Sequence, residues 1–192
     1  MIPRLLVLSG SPRPDAPESR LAAEATRLLA ASNTLLTAAS LADYPLPLFE
    51  GGKDEALPQN AWLLAQRIAL QDGVLIVSGE HHGGMPALLK NAIDWIAHAA
   101  ARENRPLDPF RRLVVALAAA APDATGGRET LGQLRTVLAY LGAEVMTREF
   151  RLGEAGTAID ASGQLTRPGD AERLGDFLDG ALDHVGALGR QA

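Results

Sequence analysis

The chain has 192 residues, 47% of them hydrophobic, and a formal net charge of −5. This length and apolar content fit one globular domain over residues 1–192, while the acidic balance argues against nucleic acid or an anionic membrane as a partner. Because there is no cysteine and no apolar run near the roughly 20 residues of a membrane span, disulfides and thiol chemistry are excluded and we expect a cytoplasmic protein.

Five short strands are predicted along the chain. Three of them are continuous apolar runs, which are typical of strands buried on both faces, and they cover residues 5–8, 73–77 and 113–117. Two runs with more polar residues, 34–37 and 144–147, fit the flanks of the same sheet.

Between the strands, apolar residues recur at helical spacing in stripes that begin at Leu21, Leu89, Leu131 and Leu174, and a further helix is predicted over 61–70. Strands and helices thus alternate five times, which predicts an α/β fold: a doubly wound, five-stranded parallel sheet with helices on both faces. The flavodoxin-like strand order 2-1-3-4-5 is the more economical for five strands. It places the loops after the first and third strands side by side.

The segment after the first strand, residues 9–20, has the composition of an anion-binding turn. Three serine hydroxyls and two guanidinium groups lie there, at the start of a helix: Ser9, Ser11, Arg13, Ser19 and Arg20. Free N–H groups at a helix N-terminus and forked arginine donors both suit phosphate oxygens. The alternative is a proline-rich turn in which Asp15 or Ser19 only caps the helix. Because no dinucleotide or triphosphate glycine motif is present, a monophosphate ligand is favoured.

The loop after the third strand carries two histidines followed by two glycines. Gly83 and Gly84 allow a flat ligand to approach the backbone closely. The neighbouring side chains of His81 and His82 diverge in a turn, and no carboxylate or third histidine stands at a ligand spacing, so no metal site is predicted. The G-x-S-x-G motif is absent, which leaves a hydrolase with little support.

These two loops together resemble the NADPH-dependent FMN reductase family, flavodoxin-like flavoproteins that include quinone, azo-dye and chromate reductases. The resemblance rests on Gly10-Ser11-x-Arg13 with Ser19 and Leu21 after it, and on the stretches 41–49, 83–95, 126–128 and 141–143. It covers about residues 4–148, and the combination of motifs is specific although each alone is weak.

The resemblance implies that Ser11, Arg13 and Ser19 hold the FMN phosphate and that the backbone from 80 to 83 lines the isoalloxazine ring. It also implies that the loop 121–127 touches the far side of the ring. The full set of expected cofactor-binding residues is Ser9, Ser11, Arg13, Ser19, Arg20, Glu80, His81, His82, Gly83 and Gly126. Electrons would pass from NADPH or NADH to FMN and on to a small-molecule acceptor such as a free flavin or a quinone, with no catalytic acid or base from the protein.

Two departures from the family pattern concern these loops. Residues 79–84 read Gly-Glu-His-His-Gly-Gly where the family has Pro-Glu-Tyr-Asn-Gly-Ser, and Arg20 replaces a common asparagine. His81 could stack in place of the missing tyrosine, and Arg20 could bind phosphate at least as well as an amide. Two other functions stay open: a flavodoxin-type electron carrier, and a flavin-free relative whose altered loop serves another ligand or an assembly role.

Two further segments carry predictions about packing. The segment 44–49 is too apolar for a free loop, so we expect another chain to cover it in a homodimer or homotetramer. Residues 90–95 are interpreted as part of a packing helix, with Trp95 and Ile93 in the core or a subunit contact and Lys90 and Asp94 as a surface pair.

Overall fold

A computed structural model of the chain describes residues 2–52, 55–101 and 107–190. In this part of the chain the strands are β1 (Arg4–Ser9), β2 (Leu35–Ser40), β3 (Gly73–Ser78), β4 (Val114–Ala120) and β5 (Glu144–Leu152). All strand pairs are parallel, and the order across the sheet is β2-β1-β3-β4-β5. The predicted sheet and its order are confirmed.

The helices lie in two layers. They are α1 (Pro17–Leu29), α2 (Gln59–Ala69), α3 (Ala87–Ala101), α4 (Arg128–Tyr140), the single turn α5 (Ala155–Ala158) and α6 (Asp170–Leu188), with a short 3-10 turn at Leu41–Asp43. One face of the sheet packs against α1 and α6, and the other against α2, α3 and α4. Three of the four predicted helical stripes lie within α1, α3 and α6, and the stripe that begins at Leu131 lies in α4 except for its last residue, Leu141, which caps that helix. None of the described helices is long and apolar enough to cross a membrane.

The central strands have apolar residues at successive positions because helices cover both faces of the sheet. Successive residues of a strand point to opposite faces. Leu5 and Val7 accordingly join the core under α1 and α6, while Leu6 and Leu8 join the core on the opposite face. No position in the middle of β1 meets solvent, and the sequence shows no polar alternation there.

The strands run further than their apolar runs. β1, β2 and β3 each end in a serine, namely Ser9, Ser40 and Ser78, and Ser9 pairs in register with Ser40. The predicted strands stop one to three residues short because the prediction followed apolar side chains, whereas the backbone hydrogen bonds continue through polar residues. These serines therefore bring hydroxyl groups to the carboxyl edge of the sheet.

β5 is twice as long as its predicted stretch, 144–147, because an irregularity in its pairing with β4 interrupts the apolar pattern without ending the strand. Arg135 of α4 satisfies backbone groups at this point. Its Nη2 donates to the carbonyls of Met146 and Thr147 at 2.9 and 3.2 Å and pairs with Glu149 at 2.7 Å. The Arg135 side chain of α4 thus supplies hydrogen bonds to β5 at the irregularity.

The apolar segment 44–49 is packed largely by its own chain. Trp95 of α3 is 1% exposed and donates its indole N–H to the carbonyl of Pro47 at 2.8 Å. Asn91 holds the same segment from both sides, because its amide donates to Pro47 and its carbonyl accepts from the N–H of Phe49. The packing interpretation of α3 is confirmed. Leu48 is 79% exposed, and Pro45 and Pro47 of the same segment are exposed as well.

Candidate functional site

The residues of the predicted site lie at the carboxyl edge of the sheet. Ser9 ends β1, the loop to α1 follows it, residues 80–83 follow β3, and Gly126 lies just before α4. The first two loops meet directly, because the N–H of Gly10 donates to the carbonyl of Val77 at 2.9 Å. This is the edge, at the reversal of strand order, where open parallel sheets bind ligands.

A network of serine hydroxyls shapes the loop after β1. The Oγ of Ser19 donates to the carbonyl of Arg13 at 2.7 Å and lies 3.0 Å from the Oγ of Ser9. Because a hydroxyl has one proton, Ser9 must be the donor in that second contact. The Oγ of Ser11, a buried residue, accepts from the N–H of Arg13 at 3.3 Å. Ser11 therefore keeps its own proton for a further acceptor.

The two arginines of this segment point to different places. Arg13 is exposed, and within the described chain its guanidinium has no hydrogen-bond or ion-pair partner. Arg20 instead donates from Nη1 to the backbone carbonyl of Asp160 at 3.4 Å. Arg13 is thus free to bind an anion, while Arg20 already has a contact outside the loop, and its part in phosphate binding stays a prediction.

Ser40, which sequence reasoning did not single out, also belongs to this loop. Its Oγ donates to the carbonyl of Ser11 and accepts from the N–H of Ala42, both at 3.1 Å. It therefore fixes the Ser11 peptide and starts the 3-10 turn after β2. The available signal was its position, because a serine at the end of the strand next to β1 must face the same edge of the sheet.

The loop after β3 folds back in a tight turn. His81 and Gly84 exchange two backbone hydrogen bonds, of 2.9 and 3.1 Å. The central residues, His82 and Gly83, both have positive φ, at 53° and 74°, which is the pattern of a type I′ turn. Histidine shares with asparagine a tolerance for this conformation, so His-Gly keeps the turn that Asn-Gly would form. Both imidazoles are exposed.

A buried glutamate explains another departure in this loop. Glu18, in the first turn of α1, is 7% exposed. A Cβ at Gly79 would lie 3.0 Å from the carboxyl carbon and from Oε1 of Glu18. A side chain at 79 would press on that carboxylate, which would have to move by a few tenths of an ångström, so Gly79 and Glu18 fit each other closely. This close approach brings the loop after β3 against the first turn of α1, which follows the loop after β1.

The carboxyl group of Glu80 is partly buried and lies near other negative charges. Its Oε2 and the hydroxyl of Thr130 are buried without a hydrogen-bond partner among the described residues. Burial raises the pKa of Glu80, and the negative charges of Asp123 and Glu129 raise it further. The nearby Thr130 side chain lowers this pKa, but by less. The charged form of Glu80 is therefore less favourable here, beside the loop that follows β4, than it is in water.

We expect Glu80→Gln to raise the melting temperature at pH 7.5. Folding holds the Glu80 proton more tightly than the unfolded chain does, so the charged carboxylate destabilises the fold above its raised pKa. As the pH falls through that pKa toward the ordinary value of 4.5, the advantage of glutamine should shrink. Thermal unfolding at several pH values measures it. Glu144→Gln, at an exposed residue, is the control, and an advantage that grows on acidification would contradict the assignment.

A cavity of about 490 Å³ opens beside the serine network, between α1 and β2. About half of its lining residues are small and apolar, and its polar lining comes from Ser9, Ser19, Thr26, Ser40 and Asp43. The volume lies within the range of small-molecule sites. This end of the sheet therefore has space for a ligand next to the loop after β1.

Comparison with known proteins gives a consistent result. The model of the family described as NADPH-dependent FMN reductase matches residues 3–157. A quinone reductase from Escherichia coli (strain K12) is 29% identical over 184 residues, which cover 95% of this chain and 89% of that protein. A 2-hydroxy-1,4-benzoquinone reductase from Burkholderia sp. is 31% identical over 135 residues, or 70% of this chain and 71% of the relative.

Among solved structures, the chain is similar to the flavoenzyme NAD(P)H:(acceptor) oxidoreductase FerB from Paracoccus denitrificans. The TM-score is 0.80 at 24% identity, with 98% of this chain and 100% of the other covered. At that identity the likeness supports the fold. The matched region of the family model spans β1 to β5 and includes both ligand loops.

Proposed function

Because the chain belongs to the NADPH-dependent FMN reductase family, we propose that it is an FMN-dependent enzyme that passes electrons from NADPH or NADH to a small acceptor of the quinone class. The observation that carries this proposal is the loop after β1, where the unpaired guanidinium of Arg13 and the free hydroxyl proton of Ser11 belong to the same turn. The quinone reductase names of the relatives support the choice of acceptor.

The residues of the site fit FMN. A phosphate monoester needs several donors and a positive charge, which Arg13, Ser11 and the start of α1 offer. A flat ring needs backbone that it can approach closely, and a Cβ built on Gly83 would meet nothing within 4 Å. The N–H groups of His82 and Gly83 have no partner among the described residues, so they are available to a ring that passes the turn.

When bound, FMN supplies the two-electron chemistry, taking a hydride from the nicotinamide and passing electrons to the acceptor. The protein's part is to bind and orient. Arg13 and Ser11 hold the phosphate end, and the Ser9–Ser19 contact keeps the loop in shape for them. The rigid turn at 81–84 presents N–H donors where negative charge needs stabilisation.

The visible spectrum of the purified protein, before and after addition of FMN, tests the proposal. We expect flavin absorbance in the purified protein or after reconstitution, and oxidation of NADPH or NADH that depends on added quinone. A protein that stays colourless with added FMN would overturn the proposal in favour of a flavin-free relative. Slow oxidation of both nicotinamides beside fast reduction by a partner reductase would instead identify an electron carrier.

We also propose that the enzyme is a homodimer or homotetramer of one-domain chains and works in the cytoplasm. The exposed Leu48, which belongs to the segment 44–49, supports a subunit contact on this face, since large apolar side chains at interfaces escape solvent. Light scattering on the purified protein tests the assembly, and a monomer at micromolar concentration would contradict it. Cell fractionation tests the location.

A further inference from the structure

A second cavity, of about 500 Å³, lies at the ends of β4 and β5. Four arginines and two carboxylates line it, namely Arg128, Arg151, Arg167, Arg173, Glu154 and Asp170. Such a concentration of positive charge is unusual in a chain whose formal net charge is −5. Any anion that binds here is attracted by the local field and not by the molecule as a whole.

The carboxylates of this cavity are already paired. Asp170 is 4% exposed and binds Nε of Arg167 at 2.8 Å and Nη1 of Arg173 at 2.6 Å. Glu154 lies 3.4 Å from Nη1 of Arg167. Arg128 and Arg151 have no side-chain hydrogen bond or ion pair anywhere in the described ranges. Two guanidinium groups are therefore left for an external anion.

Close backbone packing fixes the wall that carries Arg128 and Arg151. A Cβ on Gly126 would lie 2.8 Å from the Cβ of Arg151, and a Cβ on Gly153 would lie 2.8 Å from the carbonyl of Asp123. Glycine at both positions lets the loop after β4 lie directly on the end of β5. Arg128 begins α4 immediately after this loop, so the backbone of both arginines belongs to one closely packed corner of the cavity.

The same loop separates the cavity from the proposed flavin site. On one side Gly126 contacts Arg151, and on the other a Cβ on Gly127 would lie 3.8 Å from Oε2 of Glu80, in the loop after β3. In a nicotinamide dinucleotide a pyrophosphate joins the nicotinamide nucleoside to the adenosine. When the nicotinamide lies at the flavin ring, the adenosine ribose therefore lies outside the ring site. A phosphate on the adenosine ribose therefore needs a basic site near the ring loop but separate from it.

We propose that this arginine cavity binds the 2′-phosphate of NADPH and makes the enzyme prefer NADPH to NADH. The inference rests on the proposed function, since it assigns the donor of that reaction. A phosphate monoester carries nearly two negative charges at neutral pH, and a guanidinium group binds its oxygens in a forked geometry. NADH has only a hydroxyl at the same position and leaves both arginines unpaired.

Calorimetric titration of the purified protein tests the cavity without any turnover. Adenosine 2′,5′-bisphosphate is expected to bind more tightly than 5′-AMP or inorganic phosphate. Arg151→Ala and Arg128→Ala should each weaken its binding about two- to fivefold, as expected for exposed charge pairs, and Arg151→Lys should lose less. The matched control is Arg148→Ala, also an exposed residue of β5, whose guanidinium contacts the carbonyl of Asp176 instead.

Steady-state kinetics then separates this inference from the proposed function. Arg151→Ala is expected to lower the ratio of kcat/KM for NADPH to that for NADH about two- to fivefold, while Arg148→Ala leaves the ratio unchanged. Equal binding of adenosine 2′,5′-bisphosphate and 5′-AMP, or binding of inorganic phosphate as tight as either, would overturn the inference alone. A wild-type protein that binds FMN but oxidises neither nicotinamide would overturn the proposed function.

Discussion

Replacing Arg13 with alanine is expected to weaken FMN binding roughly 10- to 150-fold. Hydrogen bonds to a charged group contribute about 1.5–3 kcal/mol each, and about 1.4 kcal/mol corresponds to a factor of ten in affinity. The full effect is expected because the Arg13 guanidinium has no partner among the described residues, so its removal breaks no contact of the fold itself. Fluorescence titration of flavin-free protein with FMN measures the change.

Riboflavin and a second arginine provide the controls for this experiment. Riboflavin has the ring but no phosphate, so Arg13→Ala should leave its binding nearly unchanged. Arg27→Ala removes the same charge from the exposed end of α1, where Arg27 pairs with Glu24 at 2.7 Å, and should alter neither ligand. Equal weakening of FMN and riboflavin would mean that Arg13 shapes the site without contacting the phosphate. Unchanged FMN binding would place the phosphate elsewhere.

The scaffold could be predicted from local patterns because each pattern reports on burial. The runs 5–8 and 73–77 contain no polar side chain since β1 and β3 are covered on both faces, and the strand order 2-1-3-4-5 was predicted as the more economical one for five strands. The resemblance to the reductase family is confirmed by the match over residues 3–157. Both rest on residues that lie close together in sequence.

Other features could not be predicted because they depend on contacts between distant residues. The Arg20 side chain donates a hydrogen bond to the carbonyl of Asp160, which lies 140 residues further along the chain. Glycine at 79 looks like a loss of the family's proline until the Glu18 carboxylate is seen beside it. The arginine cavity collects side chains from four separate positions between 128 and 173. No local motif joins them, so only the folded chain reveals the cluster.

The largest expected loss of stability is for Asp72→Ala. Asp72 precedes β3 and its side chain is 6% exposed. It accepts the N–H of Arg4 at 2.8 Å, together with Nε at 3.2 Å and Nη2 at 2.7 Å from the same residue. The substitution leaves these donors unpaired where β1 and β3 begin. We expect the free energy of unfolding to fall by about 2–4 kcal/mol, somewhat below a fully buried pair because Arg4 is one-third exposed.

The pH dependence of this loss identifies its electrostatic part. Burial alone would raise the pKa of Asp72, but the hydrogen bonds from Arg4 and the charges of Arg4 and Arg190 outweigh it and hold the pKa below its ordinary value of 3.8. The contribution of Asp72 is therefore complete above that ordinary value and is lost as the pH falls through the lower pKa of the folded state.

Urea unfolding of the wild type and Asp72→Ala should thus show a constant difference from about pH 7 to about pH 5 and a smaller one near pH 3. Asp94→Ala is the matched control, because it removes a carboxylate from the partly exposed Lys90–Asp94 pair of α3. That pair should contribute no more than about 0.5 kcal/mol. A loss at Asp72 no larger than at Asp94, or a difference that widens on acidification, would show that the Arg4–Asp72 pair does not hold the start of the central strands.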